Sequence, residues 1–227
     1  MARTAATVSR SGSPGPTPTR VSVPQFCGSM MAREPVVRSQ TVSRLSIFPD
    51  HPPDVGSTFS EPVLVSDDPR TIQQELHGRG IGFERWPVRS SVPQGADQAT
   101  VLQAFSADVK RVMTEAGHAS VDVLRVTPSH PDRTSLRRRF LSEHTHAEDE
   151  VRFFVEGRGL FCLHIGREVL AVLCERDDLI HIPAGTRHWF DMGEQPQFCV
   201  LRFHGTNSEW LATFTGDPIA ERFPTLE

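Results

Sequence analysis

The sequence predicts a mainly β protein with flanking helices, arranged as an antiparallel sandwich or barrel. Two observations carry this. From Val121 onward, VDVLRVTP, VRFFVEGRG, LFCLHIG, EVLAVLCE, LIHIPAG and FCVLRFHG are short runs of Val, Ile, Leu and Phe, broken by Gly or Asp about every 8–12 residues. Ahead of them, apolar residues recur at spacings of three and four, the period of a helix laid against a core.

Taken in order, LSIF and PVLV on either side of Pro-rich DHPPD read as strand, loop, strand. Asp68 or Thr71 caps a helix over TIQQELHGRG that ends at Gly78. Phe83 and Trp86 then fall in an irregular connection. DQATVLQAFSADVKRVMTEAG, residues 97 to 117, sets Val101, Leu102, Phe105, Val109 and Val112 on one helical face. The six β runs follow, spanning residues 121 to 205. NSEWLATFTGDPIAERFP then returns to helical or irregular spacing.

The chain has 227 residues, of which 37% are hydrophobic and 23% charged, the profile of an ordinary globular protein. Its first 43 residues hold seven Ser, five Thr, five Pro and five Arg but one acid, Glu34. That composition cannot build a core, so residues 1–43 are expected to form a disordered, low-complexity extension, with a transit segment or an early start codon as alternatives. Residues 44–227 are expected to form one domain. Since the extension carries +4 of a net −4, the domain carries −8, a poor match for nucleic acid. No apolar run reaches the 18 or so residues of a membrane span. Cys27, Cys162, Cys174 and Cys199 form no C-x-x-C pair, which favours free thiols and a cytoplasmic location.

Chemistry concentrates in FLSEHTHAEDEVRFFVEGRG, residues 140 to 159. On an unbroken strand, His144, His146, Glu150 and Arg152 share one face, and Val151, Phe153 and Val155 take the other. Two imidazoles and a carboxylate at this spacing can converge on a divalent ion. The same pattern also suits a solvated polar face of a half-exposed hairpin. A second segment, LIHIPAGTRHWFDMG, places Pro183 and Gly185 in a tight turn that aims His188 inward.

Together, H-x-H-x-x-x-E and P-x-G-x-x-H resemble the two metal-binding motifs of the cupin superfamily, whose fold is a jelly-roll (double-stranded β-helix) barrel. The family's usual glycines are replaced by Arg138 before the first histidine and Asp177 at the head of the second motif, and Met192 stands where an asparagine is usual. SRLSIFPDHPP, EHTHAEDEVRFFVEGRGLFCLHIG, IPAGTRHWFDMG and EWLATFTGDPIAERFP resemble, more closely, the acireductone dioxygenases of methionine salvage, over residues 43 to 227.

The resemblance implies that His144, His146, Glu150 and His188 bind one Fe(II) or Ni(II) per chain and leave two octahedral positions for substrate. It implies Arg152 as the catalytic, substrate-contacting arginine and Phe140, Phe190 and Trp210 as aromatic lining. The expected reaction cleaves acireductone (1,2-dihydroxy-3-keto-5-methylthiopentene) with O₂. Iron is expected to yield 4-methylthio-2-oxobutanoate and formate; nickel, 3-methylthiopropionate, formate and CO. Charge agrees: a divalent ion, one carboxylate and Arg152 sum to about +2, suited to a dianionic enediolate. The expected protein is a cytoplasmic monomer with no nucleic-acid or membrane partner. The alternative is a non-oxidative cupin, either an isomerase or a small-molecule-binding module.

Of the remaining candidates, His164 and His181 are expected to be structural, and His204 to be a possible support for a ligand imidazole. The Arg137 to Arg139 run, next to the metal strand, reads as a solvated sheet edge, with an anion funnel as the alternative.

Overall fold

The computed structural model describes residues 42–51, 61–88, 90–93, 95–205 and 211–227, all within the compact unit Gln40–Glu227. The extension expected over residues 1–43 lies outside them, apart from Val42 and Ser43.

The elements in chain order are strands β1 (Arg44–Pro49) and β2 (Leu64–Ser66), helix α1 (Pro69–His77), strand β3 (Gly82–Arg85), helices α2 (Gln98–Ala104) and α3 (Ser106–Ala116), and strand β4 (Ser120–Val126). Helix α4 (Arg133–Phe140) precedes β5 (His144–Thr145), β6 (Glu150–Ile165), β7 (Glu168–Glu175), β8 (Asp178–Ile182), β9 (Arg187–Asp191), β10 (Phe198–His204) and β11 (Thr213–Phe214), and a 3₁₀ turn (Pro218–Arg222) follows. Asp68 caps α1 by accepting from the Thr71 amide, and Gly78 closes the helix, as the sequence predicts.

All strand pairings are antiparallel. One run is β2-β1-β7-β6-β9-β5-β11 and the other is β4-β10-β6-β8-β3, so β6 belongs to both. Its first half pairs with β10 and β8, and its second half with β7 and β9. The handover falls at Gly157, where φ is +67° and a Cβ would stand 1.8 Å from the Gln197 carbonyl oxygen, a place only glycine can occupy. Two facing layers joined through one long strand form the expected mainly β, jelly-roll architecture.

Three apolar clusters hold it together. Leu45, Ile47, Phe154, Phe161, Leu163, Val172, Ile180 and Phe198 fill the space between the layers. Outside the β4-β10-β6 layer, Val151, Phe153, Val155 and Phe203 pack against Val101, Phe105 and Val112 of the helical segment. Outside the other layer, Cys162, Val169 and Trp189 are covered by Ile219 and Phe223 from the C-terminal segment. Burying such side chains contributes roughly 1.5–3 kcal/mol each.

The structure departs from the sequence reading in four places outside the motif strand. Phe83 lies on a strand, because GFER pairs with Asp178 to His181 of β8 despite its brevity. The helix expected over 97 to 117 breaks at Phe105 (φ −108°, ψ 21°), so its apolar face turns a corner to follow the sheet. VRFFVEGRG and LFCLHIG are one strand, since Gly157 bends the chain without ending pairing. Arg137 to Arg139 sit on α4 rather than a sheet edge, with Arg137 donating to both carboxylate oxygens of Asp191 at 2.8 and 3.1 Å.

Candidate metal centre

The four motif residues come from three elements. His144 opens β5 and pairs across it with His188 of β9; His146 follows β5, and Glu150 begins β6. The strand assumed to be continuous from His144 to Arg152 is broken at residues 146 to 149. Convergence survives because the break is tied to the neighbouring turn. Gly185 donates its amide to the His146 carbonyl at 2.9 Å, and Ala184 donates to Asp149 Oδ1 at 2.9 Å. Gly185 has φ +76°, the turn conformation expected of the P-x-G segment. Asp177, standing where a glycine is usual, holds φ +85°, and aspartate is among the few side chains that tolerate this region.

Nitrogens of His144, His146 and His188 lie within 4.8 Å of one another, and all three rings are buried. Each Nδ1 faces a backbone carbonyl: Ser142 at 2.7 Å, Leu211 at 3.1 Å and Thr186 at 2.8 Å respectively. A carbonyl only accepts, so Nδ1 carries the proton and each Nε2 lone pair is left for the centre. Glu150 flanks the cluster, with Oε2 at 2.8 Å from His188 Nε2 and 3.6 Å from His146 Nε2.

These groups fit a cation. Glu150 Oε2 and His188 Nε2 are buried without a hydrogen-bond partner although they nearly touch. In this tautomer both are acceptors, and two facing lone pairs are reconciled by a positive ion. Burial lowers the pKa of His144, and that of His146 to about 4, which keeps both as neutral donors. Burial pushes the Glu150 carboxyl up, but Arg152 and His188 outweigh it and hold it well below the usual carboxylate range.

Arg152 is as buried as the ligands, and burial lowers its pKa to about 10 while Glu150 opposes the change. Its guanidinium donates to Glu150 Oε1 at 2.7 Å and to the Val151 carbonyl at 3.1 Å. The charge assigned to Arg152 from the sequence is therefore already shared with Glu150.

The four motif residues and Arg152 line a cavity of about 410 Å³ together with Phe140, Phe154, Phe161, Phe190 and Phe198. Phe140 and Phe190 stand edge to face at 6.1 Å. Trp210 lies outside the described residues. Arg139, from the basic run that the sequence offered as an anion funnel, also faces this space, and so do Arg202 and Phe214, which the sequence reading missed. Arg202 had a signal: a lone arginine inside the apolar run FCVLRFHG, cross-strand from Arg152 and held by Asp122 at 2.6 and 2.7 Å. Phe214 had none, since its placement depends on where β11 docks.

His164 donates from Nδ1 to the Glu143 carboxylate at 2.7 Å, and His181 pairs with Asp149 at 2.8 Å, both structural roles as expected. His204 Nε2 lies 3.4 Å from Oδ1 of Asp122, the carboxylate that also holds Arg202.

Residues 63–212 match the model of the ARD/ARD′ family. The chain is 58% identical over 186 residues to the acireductone dioxygenase of Synechococcus sp. (strain CC9902), covering 82% of this chain and all of that protein. It is 59% identical over the same shares to the one from Parasynechococcus marenigrum (strain WH8102), and 47% identical over 186 residues to that of Parvibaculum lavamentivorans, covering 82% of this chain and 98% of that protein. Among solved structures, an acireductone dioxygenase from Bacillus anthracis with a cadmium ion in its active centre superposes with a TM-score of 0.64 at 24% identity. The match spans 76% of this chain and 98% of that one, a likeness of fold.

Proposed function

The chain belongs to the ARD/ARD′ family, and from that premise we propose that its cavity carries out the dioxygenase reaction for which its relatives are named. Acireductone and O₂ are the substrates, and the step belongs to methionine salvage. The observation that carries the reading is the convergence of three Nδ1-protonated imidazoles, with the partnerless Glu150 Oε2 beside them, in a phenylalanine-lined cavity.

His144, His146, Glu150 and His188 would hold one Fe(II) or Ni(II), which supplies a Lewis acid and a template for the enediolate oxygens. The chain's own residues do the rest. Carbonyls of Ser142, Leu211 and Thr186 keep the imidazoles aimed, with Nδ1 protonated and Nε2 turned to the centre. Arg152 holds Glu150 and presents the remaining guanidinium charge to the dianionic head of the substrate. Phe140, Phe190 and neighbouring rings exclude water and receive the methylthio tail. Trp210 is assigned to the same lining from the sequence resemblance. Residues 44–227 are the catalytic unit, supported by relatives that match 186 residues of this chain along their full length. A cytoplasmic monomer with one ion per chain completes the proposal.

The test is to strip the metal, reload with Fe(II) or Ni(II), and supply acireductone and oxygen. The iron form is expected to give the keto acid and formate, and the nickel form 3-methylthiopropionate, formate and CO. Turnover without oxygen uptake would replace this reading with an isomerase; no turnover above a protein-free control would leave a binding module.

A further inference from the structure

Gly159 lies in the second half of β6, buried and in ordinary extended backbone, so conformational freedom does not explain it. Space does. A Cβ there would stand 2.3 Å from Phe190 Cζ and 2.4 Å from its Cε2, far inside contact distance. The Phe190 ring fills the notch left by the missing side chain, and its other surface faces the cavity. Phe161, its cross-strand partner, stands at 4.7 Å between ring centroids, Phe198 at 5.6 Å and Phe154 at 6.5 Å. Both strands are fixed by their ladders and Phe154, Phe161 and Phe198 back the ring, so a ring expelled from the notch is driven toward Phe140 and the cavity that both line.

We propose that Gly159 sets the depth of the apolar end of the cavity by seating Phe190, and thereby sets how long a substrate tail the enzyme accepts. Gly159 is a specificity-determining, positioning residue that acts through Phe190 and touches no substrate. The inference rests on the acireductone reading for the identity of the ligand, but not for the position of the ring.

In Gly159→Ala the ring moves into the cavity. The kcat/KM for the methylthio substrate is expected to fall about tenfold, mostly through KM, since a pocket lacking room for one or two heavy atoms discriminates on that scale. An acireductone whose side chain ends at a methyl group is expected to lose less than about threefold by the same reasoning. The double variant Gly159→Ala/Phe190→Leu, which makes room for the added methyl, is expected to restore selectivity. Phe190→Leu alone deepens the pocket and is expected to raise the relative kcat/KM for a propylthio homologue, whether or not the alanine variant folds. A crystal structure of Gly159→Ala reads the ring directly. Equal losses on long and short substrates, or a Phe190 ring that keeps its place, overturn the proposal. Failure of wild-type protein to take up oxygen with either substrate would instead overturn the functional reading, leaving the ring position to decide this one.

Discussion

At the scale of single residues, Arg152 has two tasks where the sequence suggested one. Parity on β6 brought it to the metal face, yet the sequence could not show that its first partner is Glu150 at 2.7 Å. Arg152→Ala is therefore expected to loosen the metal as well as the substrate, because an acid beside the ion loses the group that orients it. Metal affinity should fall about 10-fold or more, and kcat/KM by about 100-fold or more. Lysine at this position should recover part of both, since a point charge reaches Glu150 but lacks the planar fork. Metal per chain after gel filtration and steady-state kinetics check this; full metal content with lost turnover would return Arg152 to a purely substrate-directed role. The metal-face residues were legible because H-x-H-x-x-x-E and P-x-G-x-x-H bring ligand chemistry and turn chemistry together locally. Arg139 was legible only as one of three arginines of a basic run, and Phe214 was not legible at all, because nothing local to β11 says that it will reach this cavity.

At the scale of elements, the least legible features are joints. Asp178 illustrates one: fully buried at the start of β8, it accepts from the Glu175 amide at 2.8 Å and from the Ser43 hydroxyl at 2.5 Å, and lies 3.2 Å from Arg85 Nε on β3. It thus ties the β7–β8 turn, the entry to β1 and the neighbouring edge strand. Burial raises its pKa to about 6, with the nearby Glu175 adding to the rise and the hydrogen bonds and Arg85 opposing it. The folded state therefore keeps the Asp178 proton to higher pH than the unfolded chain does. Below about pH 4 both states are protonated and burial of the acid carries no ionic cost; as pH rises through 6 the protein loses about 3 kcal/mol of relative stability at this group. Asp178→Asn, which cannot ionise, is expected to gain on wild type between pH 4.5 and 7 in urea unfolding. A difference that stays constant with pH would show that the carboxyl titrates normally. The β runs that meet at this joint were readable as short apolar stretches broken by turn residues. The pairing of GFER with β8 was not, since four residues carry too little periodicity to announce a strand.

At the scale of the whole molecule, a domain with a net charge of −8 must admit a dianion. Cavity charges are arranged against that background: Arg202 is neutralised by Asp122 and Arg152 shares Glu150, whereas Arg139 is exposed at the cavity and has no carboxylate partner among the described residues. Attraction at an exposed site fades over a Debye length of about 8 Å at physiological ionic strength. Substrate capture should therefore weaken as salt is added, and Arg139→Ala should flatten that dependence while leaving kcat near wild type. Arg138, its neighbour, lines a different depression and serves as the control. Equal salt slopes in wild type and Arg139→Ala would remove Arg139 from substrate capture.

The hydrogen bond from His146 to the Leu211 carbonyl spans 65 positions of sequence. During synthesis, at about 5–20 residues per second, His146 is added to the chain some 3 to 13 s before the residue whose carbonyl fixes its ring. Over that interval the His146 ring lacks the acceptor that fixes it, so the aim of the three-imidazole cluster is completed only once the C-terminal segment has been made and has docked.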